Sequence, residues 1–261
     1  MKLLSKLSTT SYSLALIVVV ALSLQSCLNG KNEYLVSSID FATYNSLLGT
    51  PIFKLDNKQS ITATNEGADK LTDNTFLTGG ERVLIITNDI SQESFVGKDE
   101  VHAKVTTVRL VKEDNIEKSE TDHTDEYLKE NSQPIYSGYY NSLFTKALNN
   151  YRFNFVIKGY KIKNQSSPKV HLVYTDESYS IDNSSLTLYL LVDKLPEDNK
   201  LEKETFEECI TFNSEEFLHR YSDVKKINIK YVGTNFIKTQ VYNRIGEDEF
   251  NWYEVNNNTP N

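Results

Sequence analysis

A two-residue period runs through the stretch YRFNFVIK. Tyr151, Phe153, Phe155 and Ile157 fall on one side, Arg152, Asn154 and Lys158 on the other. Successive side chains of a strand point to opposite faces, so this spacing belongs to a half-buried strand rather than to the stripe of a helix. LTLYLLV repeats it with Leu186, Leu188, Leu190 and Val192, and KINIKYV with Ile227, Ile229 and Tyr231. Sixteen tyrosines and twelve phenylalanines against a single methionine lean the same way, since aromatic side chains suit the pleated surface. Several such strands, set apart by polar turns, predict two sheets facing each other. Beyond Gly159 the apolar positions change parity to Tyr160 and Ile162, and a bulge at the glycine would produce that change.

The first half has a different texture. PIFKLDN reads as a strand entering a turn, SITAT as a short neighbour, and GERVLIITND as a central strand, apolar on both faces and introduced by the Gly79-Gly80 turn. VHAKVTTVRLV starts with Val101, Ala103 and Val105 inward and ends with Val108 and Leu110 inward; a strand bent to close a small barrel changes face in this way. Between the halves, KEDNIEKSETDHTDEYLKENSQ is polar and acidic, and the domain boundary is placed there, with a short helix around DEYLKE. In FNSEEFLHRY, Asn213 or Ser214 can cap a further short helix, with Glu215 and Glu216 at its positive end and Arg220 at its negative end.

The N-terminus is of another kind. Lys2 and Lys6 precede a core from Leu14 to Leu24 that is apolar except for Ser23. That core is short of the roughly 20 residues a spanning helix needs, and a cationic start before a short apolar centre is the secretory pattern. Leu24-Gln25-Ser26-Cys27 looks like a bacterial lipobox, with the cysteine as the acylation site. An ordinary secretory cut nearby, leaving Cys27 an incidental thiol, is the alternative. Removal of residues 1–26 takes away two lysines and no acid, which moves the net charge from −8 to −10. So acidic a chain is not built to release counterions from nucleic acid. Cys209 is then the one unmodified cysteine, so no internal disulfide forms, and within ECITF it reads as a small buried hydrophobe rather than a reactive thiol.

No residue constellation marks a reaction. Nucleophilic catalysis needs a nucleophile, a base and a group that orients the base. Ser166 to Lys169 and Ser222 to Lys225 fit Ser-x-x-Lys, but the companion Ser-Asp-Asn and Lys-Thr-Gly words are missing. His102, His123, His171 and His219 lack the close pairing of zinc ligands. His123, in ETDHTDE, reads as part of a solvated linker, its carboxylates lacking the spacing of a calcium loop. Tyr136, Tyr139 and Tyr140 in PIYSGYYNSLF can stack on a sugar ring or anchor a protein partner, or else cement a contact between domains.

FKLDN, GERVLI, VHAKVTTVRLV, QPIYSG, FNFVIKG, VHLVY, LTLYL and ITFNSEEF follow one another through most of the mature chain. In that order and spacing the chain resembles the NigD-like lipoproteins of Bacteroides-type bacteria. The resemblance implies an all-β protein, an N-terminal OB-like β-barrel followed by a C-terminal immunoglobulin-like β-sandwich. The segments expected are a signal peptide at 1–26, an acylated tether and first strand region at 27–48, the barrel at 49–118, an acidic linker at 119–133, the sandwich at 134–255 and a polar, disordered tail at 256–261. It departs from the family just after Cys27, where LNGKNE carries only Glu33, and the membrane face stays open. The family name implies bacteriocin immunity or partner binding. The expectation is a lipid-anchored envelope protein, placed at the outer membrane, with no catalytic activity, cofactor or metal. It binds a protein or glycan partner; the alternative is an accessory carbohydrate-binding lipoprotein of a glycan-uptake system.

Overall fold

The computed structural model describes residues 35–56, 58–71, 73–91, 98–136, 152–182, 184–198, 200–234, 237–245 and 251–254. Strands dominate. β1 (Leu35–Leu47), β2 (Thr50–Leu55), β3 (Ser60–Ala63), β4 (Arg82–Ser91) and β5 (Glu100–Leu110) close into a barrel in the order β1-β2-β3-β5-β4. β1 pairs with both β2 and β4, and β3 runs parallel to β5. Inside lie Phe53, Leu55, Ile61, Val83, Ile85, Val101, Val105 and Val108, and the segment between β3 and β4 folds in Ala68 and Leu77.

The change of face expected in β5 is present and has a definite cause. Ile86 pairs with Thr107 but Thr87 pairs with Val105, so Thr106 is one residue too many on β5. That bulge turns the strand over between Val105 and Val108, both buried. Leu110, expected inward, is instead exposed. The next residue, Val111, takes the buried place, packing with Phe41 and Leu84 outside the barrel.

From Lys112 onward the chain belongs to the second unit. β6 (Lys112–Asn115), β12 (Lys203–Asn213) and β8 (Arg152–Ile162) form a three-stranded sheet in that order. The facing sheet runs β15 (Asn251–Glu254), β14 (Ile237–Ile245), β13 (Lys226–Val232), β11 (Ser185–Val192), β9 (Val170–Tyr174) and β7 (Glu117–Lys118), with β10 (Tyr179–Ser180) paired to β11. The alternation read in the sequence fills the space between them. Phe153, Phe155 and Ile157 meet Leu186, Leu188, Leu190, Ile227 and Ile229 in one buried cluster. Three pairs within this sandwich are parallel: β6 with β12, β7 with β9 and β11 with β13.

The bulge expected at Gly159 is absent. β8 and β12 pair without interruption from Arg152 opposite Asn213 to Ile162 opposite Lys203. Gly159 faces Phe206 across the ladder, and a Cβ there would stand 2.7 Å from the Phe206 ring. The glycine makes room for an aromatic side chain rather than for an extra residue.

The helix expected over DEYLKE is α1 (Asp125–Asn131), with the Tyr127 amide donating to the Thr124 hydroxyl at its start. It folds back over the outer face of the larger sheet, where Lys230 of β13 reaches Asp125 at 3.4 Å and the Ser132 hydroxyl accepts from the Val192 amide at 2.9 Å. A second short helix, α2 (Glu215–Arg220), follows β12. The Glu215 amide donates to Asn213 Oδ1 at 3.1 Å, so Asn213 rather than Ser214 supports its first turn.

Candidate functional site

Arg82 and Leu84 alternate with Val83 and Ile85 along β4, so they point out of the barrel. Asn154 and Val156 of β8, with Glu207, Cys209 and Thr211 of β12, likewise point out of the sandwich core. These two outer faces lie against each other. Phe41, Leu84 and Val111 pack with Cys209, and Val156 adds to the contact. The polar-parity residues of β8 and β12 are therefore not all solvated: Asn154 is 1% exposed and Thr211 2%.

Beside this apolar patch four side chains close a ring, two from each unit. Arg82 forms an ion pair with Asp56, at the end of β2. Its Nη2 donates to Asn154 Oδ1 at 3.0 Å and its Nε to the Thr211 hydroxyl at 3.4 Å. Asn154 Nδ2 donates to Asp56 Oδ2, and the Thr211 hydroxyl to Asn154 Oδ1, each at 2.6 Å. All four residues are buried. Desolvation lowers the Arg82 pKa while Asp56 acts against that shift, the balance expected when a buried charge keeps its partner. Arg82 Nη1 is buried and makes no hydrogen bond.

On the other flank Arg109 of β5 pairs with Glu207, which Lys158 also reaches at 2.5 Å. Burial would raise the Glu207 carboxyl, but Lys158 and Arg109 outweigh it and hold its pKa below the ordinary value. Burial pushes the Cys209 thiol up to about 11, so this cysteine is a packed side chain and not a nucleophile.

A polar cleft opens along the ring. Its two cavities, of about 420 and about 220 Å³, share Arg152 and Asn213. The barrel wall of the larger one carries Thr43, Lys54, Asp56 and Lys58. The sandwich wall carries Glu215, and in the smaller cavity Glu113, Asp114 and Thr211. Arg152 bridges the walls, with Nη1 at 3.4 Å from the Thr43 hydroxyl and 3.7 Å from Asp56. Among the described residues no histidine, cysteine or aromatic ring lines either cavity.

The residues singled out in the sequence stand elsewhere. Cys27, Tyr139 and Tyr140 lie outside the described residues. Tyr136 is half-buried; its amide donates to the Lys158 carbonyl at 2.8 Å, and its ring meets Tyr160 edge-on at 4.8 Å. Burial, then a hydrogen bond with Tyr160, push its hydroxyl up to about 12. His102 is exposed on β5, His171 lies 3.2 Å from Asp193 and 3.6 Å from Glu117, and His219 is on α2. Among the described residues no group of three His, Cys, Asp or Glu is placed to hold a metal ion. His123 corrects the expectation of a solvated linker. It is 3% exposed, its ring set against Tyr127 and Tyr189, because α1 folds its lead segment onto the sheet. Both ring nitrogens are buried without a hydrogen bond, and burial lowers the His123 pKa against the opposing charge of Asp122.

Sequence reasoning missed the cleft. Its residues are spread from Thr43 to Glu215, and the one local sign was an asparagine and a threonine on polar faces of otherwise apolar strands. Among the described residues no helix is long and apolar enough to cross a membrane.

No protein-family model matches the chain, and no curated protein does. Solved structures do. A Bacteroides vulgatus protein of unknown function is 13% identical, with a TM-score of 0.54 over 82% of this chain and 94% of that one. A candidate lipoprotein of Bacteroides fragilis is 12% identical, with a TM-score of 0.48 over 84% and 96%. A NigD-like immunity protein of Bacteroides caccae is 13% identical, with a TM-score of 0.42 over 85% and 92%. At such identities the likeness to the B. vulgatus protein is one of fold. The chain has the all-β architecture, a closed barrel followed by facing sheets, that the resemblance of its sequence to the NigD-like lipoproteins implies.

Proposed function

We propose that this is a cell-envelope binding protein without catalytic activity, held at the outer membrane by lipid on Cys27, that engages a protein partner through the cleft between barrel and sandwich. Bacteriocin immunity, which the sequence resemblance implies, is one form such binding takes. The observation that carries the reading is the buried ring of Arg82, Asp56, Asn154 and Thr211, which holds the two units together beside an open polar cleft. A preformed, polar recess with walls from two units is a binding geometry. Among the described residues that line it there is no histidine or cysteine. The glycan alternative rests on Tyr136, Tyr139 and Tyr140, and Tyr136 spends its ring on Tyr160.

Crosslinking in intact envelopes, followed by membrane extraction, is expected to recover a discrete complex. Cys27→Ser is expected to move the protein from the membrane to the soluble fraction. A Cys27→Ser variant that stays membrane-bound, or a wild-type protein that yields no complex over repeated extractions, contradicts this reading. Binding on a glycan array that is lost in Tyr136→Ala would favour the glycan alternative.

A further inference from the structure

The two ends of the cleft carry opposite charge. Lys54 and Lys58 stand on the barrel wall, where the Asp56 carboxylate is already committed to Arg82. Glu113, Asp114 and Glu215 stand on the sandwich wall, with Arg152 between. Among the described residues none of these two lysines and three acids is held in an ion pair. Elsewhere on the sandwich and the shared face several surface charges are paired: Arg109 and Lys158 on Glu207, Lys161 on Glu204 at 3.2 Å, and Lys163 on Glu202 at 2.6 Å. The lysines line the larger cavity and Glu113 and Asp114 the smaller, so the two sets of charge stand at opposite ends of the cleft. The Arg82 ring and the Phe41, Leu84 and Cys209 contact hold barrel against sandwich, and so fix the two ends relative to each other. The charges are left for something else to neutralise.

We infer that the cleft is a docking groove for a peptide segment of a partner protein that bears both an acidic and a basic side chain, the acid against Lys54 and Lys58 and the base against Glu113 and Asp114. This rests on the binding reading above and names the chemistry of its partner. A purely anionic ligand would meet the three acids of the sandwich wall, and a purely cationic one the lysines of the barrel wall. Among the described residues no aromatic ring lines either cavity for a neutral sugar or an apolar molecule to pack on. The volume of the larger cavity, about 420 Å³, falls in the range of ligand sites. Asn115 and Asn213 add side-chain amides along the same walls, the groups that hydrogen-bond an extended backbone.

The test titrates the full-length protein in detergent with three capped hexapeptide libraries, read by fluorescence polarisation: one acid plus one base at every spacing, acids only, and bases only. The mixed library is expected to bind and the other two at least tenfold more weakly. Lys54→Glu with Lys58→Glu, and separately Glu113→Lys with Asp114→Lys, are each expected to weaken the mixed peptides by about tenfold or more. These positions lie on the surface of the cleft, and circular dichroism checks that the variants remain folded. Reversing both walls together is expected to restore binding of mixed peptides, with the preferred order of acid and base inverted. Equal binding of the acidic library, absence of binding by any library, or affinities unmoved by either reversal overturns the inference. An envelope complex that survives Lys54→Glu with Lys58→Glu leaves the binding function standing and removes only the groove.

Discussion

The barrel and the sandwich protect their strands differently. In the barrel each of the five strands has two neighbours, and its core closes without help from the rest of the chain. The sandwich has open sheets, and its three-stranded member is buried on both faces. Phe153, Phe155 and Phe212 point into the sandwich, while Asn154, Cys209 and Thr211 lie against the barrel. Taking the barrel away would uncover one side of that sheet; taking the sandwich away would uncover a smaller set on the barrel, Phe41, Leu84, Arg82 and Asp56 among them. The difference teaches that the barrel acts as a prop, and that the shared face, more than either core, decides whether the molecule behaves as one body.

The largest expected effect follows from that face. Arg82→Met leaves the Asp56 carboxylate buried with its closer cationic partner gone and Arg152 at 3.7 Å, and breaking one side of a buried pair costs about 3–5 kcal/mol. Chemical denaturation is expected to show that loss, shared by barrel and sandwich in one transition. Adding Asp56→Asn to Arg82→Met is expected to recover part of it. Two separated transitions in the wild-type protein would break the comparison, since the units would then unfold independently.

Gly159→Ala probes the sandwich alone. Its new methyl would press on the Phe206 ring, and overpacking of this kind costs about 1–3 kcal/mol. An increase in stability, the usual outcome for glycine replaced within a strand, would show that the ring does not depend on the gap.

His123 sharpens the comparison through pH. Its folded-state pKa is lowered, chiefly by burial, so the unfolded chain binds the proton more readily. The contribution is intact above about pH 6.5, the unfolded value, and is lost as pH falls from there through the lower folded value. The expected slope is at most about 1.4 kcal/mol per pH unit. Denaturation at pH 7.5 and 5.5 is expected to show less acid loss in His123→Phe than in the wild type. Equal slopes would mean that the proton is taken up elsewhere.

Arg109→Ala is the smallest of the set. The Arg109 and Glu207 side chains are 45% and 28% exposed, and pairs so wetted are worth about 1 kcal/mol or less. A loss as large as that of Arg82→Met would move the weight of the shared face to its rim.

How much of this was legible in the sequence depended on range. The alternation at Phe153, Phe155 and Ile157, or at Leu186, Leu188 and Leu190, states its own burial because neighbouring positions carry the whole signal. The change of face between Val105 and Val108 was equally visible, and the bulge at Thr106 realises it. Gly159 was misread because a glycine that widens a strand and one that clears space for a ring leave the same local mark. The partner that distinguishes them, Phe206, arrives from another strand. Arg82, Asp56, Asn154 and Thr211 are far apart in the chain, and each alone reads as an ordinary polar position facing water. The barrel-on-sandwich contact is what turns them inward. His123 was hidden among acids, where only the fold of α1 reveals Tyr127 and Tyr189 around it.

The shared face can be read directly at Cys209, a buried thiol within it. Alkylation of the native protein is measured across a denaturant series, with Cys27 blocked by its lipid or replaced by serine. If barrel and sandwich form one body, Cys209 reacts only through global unfolding, and the opening free energy from labelling equals the stability from equilibrium denaturation. Labelling that is fast and independent of denaturant, while circular dichroism still reports a folded molecule, would mean that the two units swing apart in the native state.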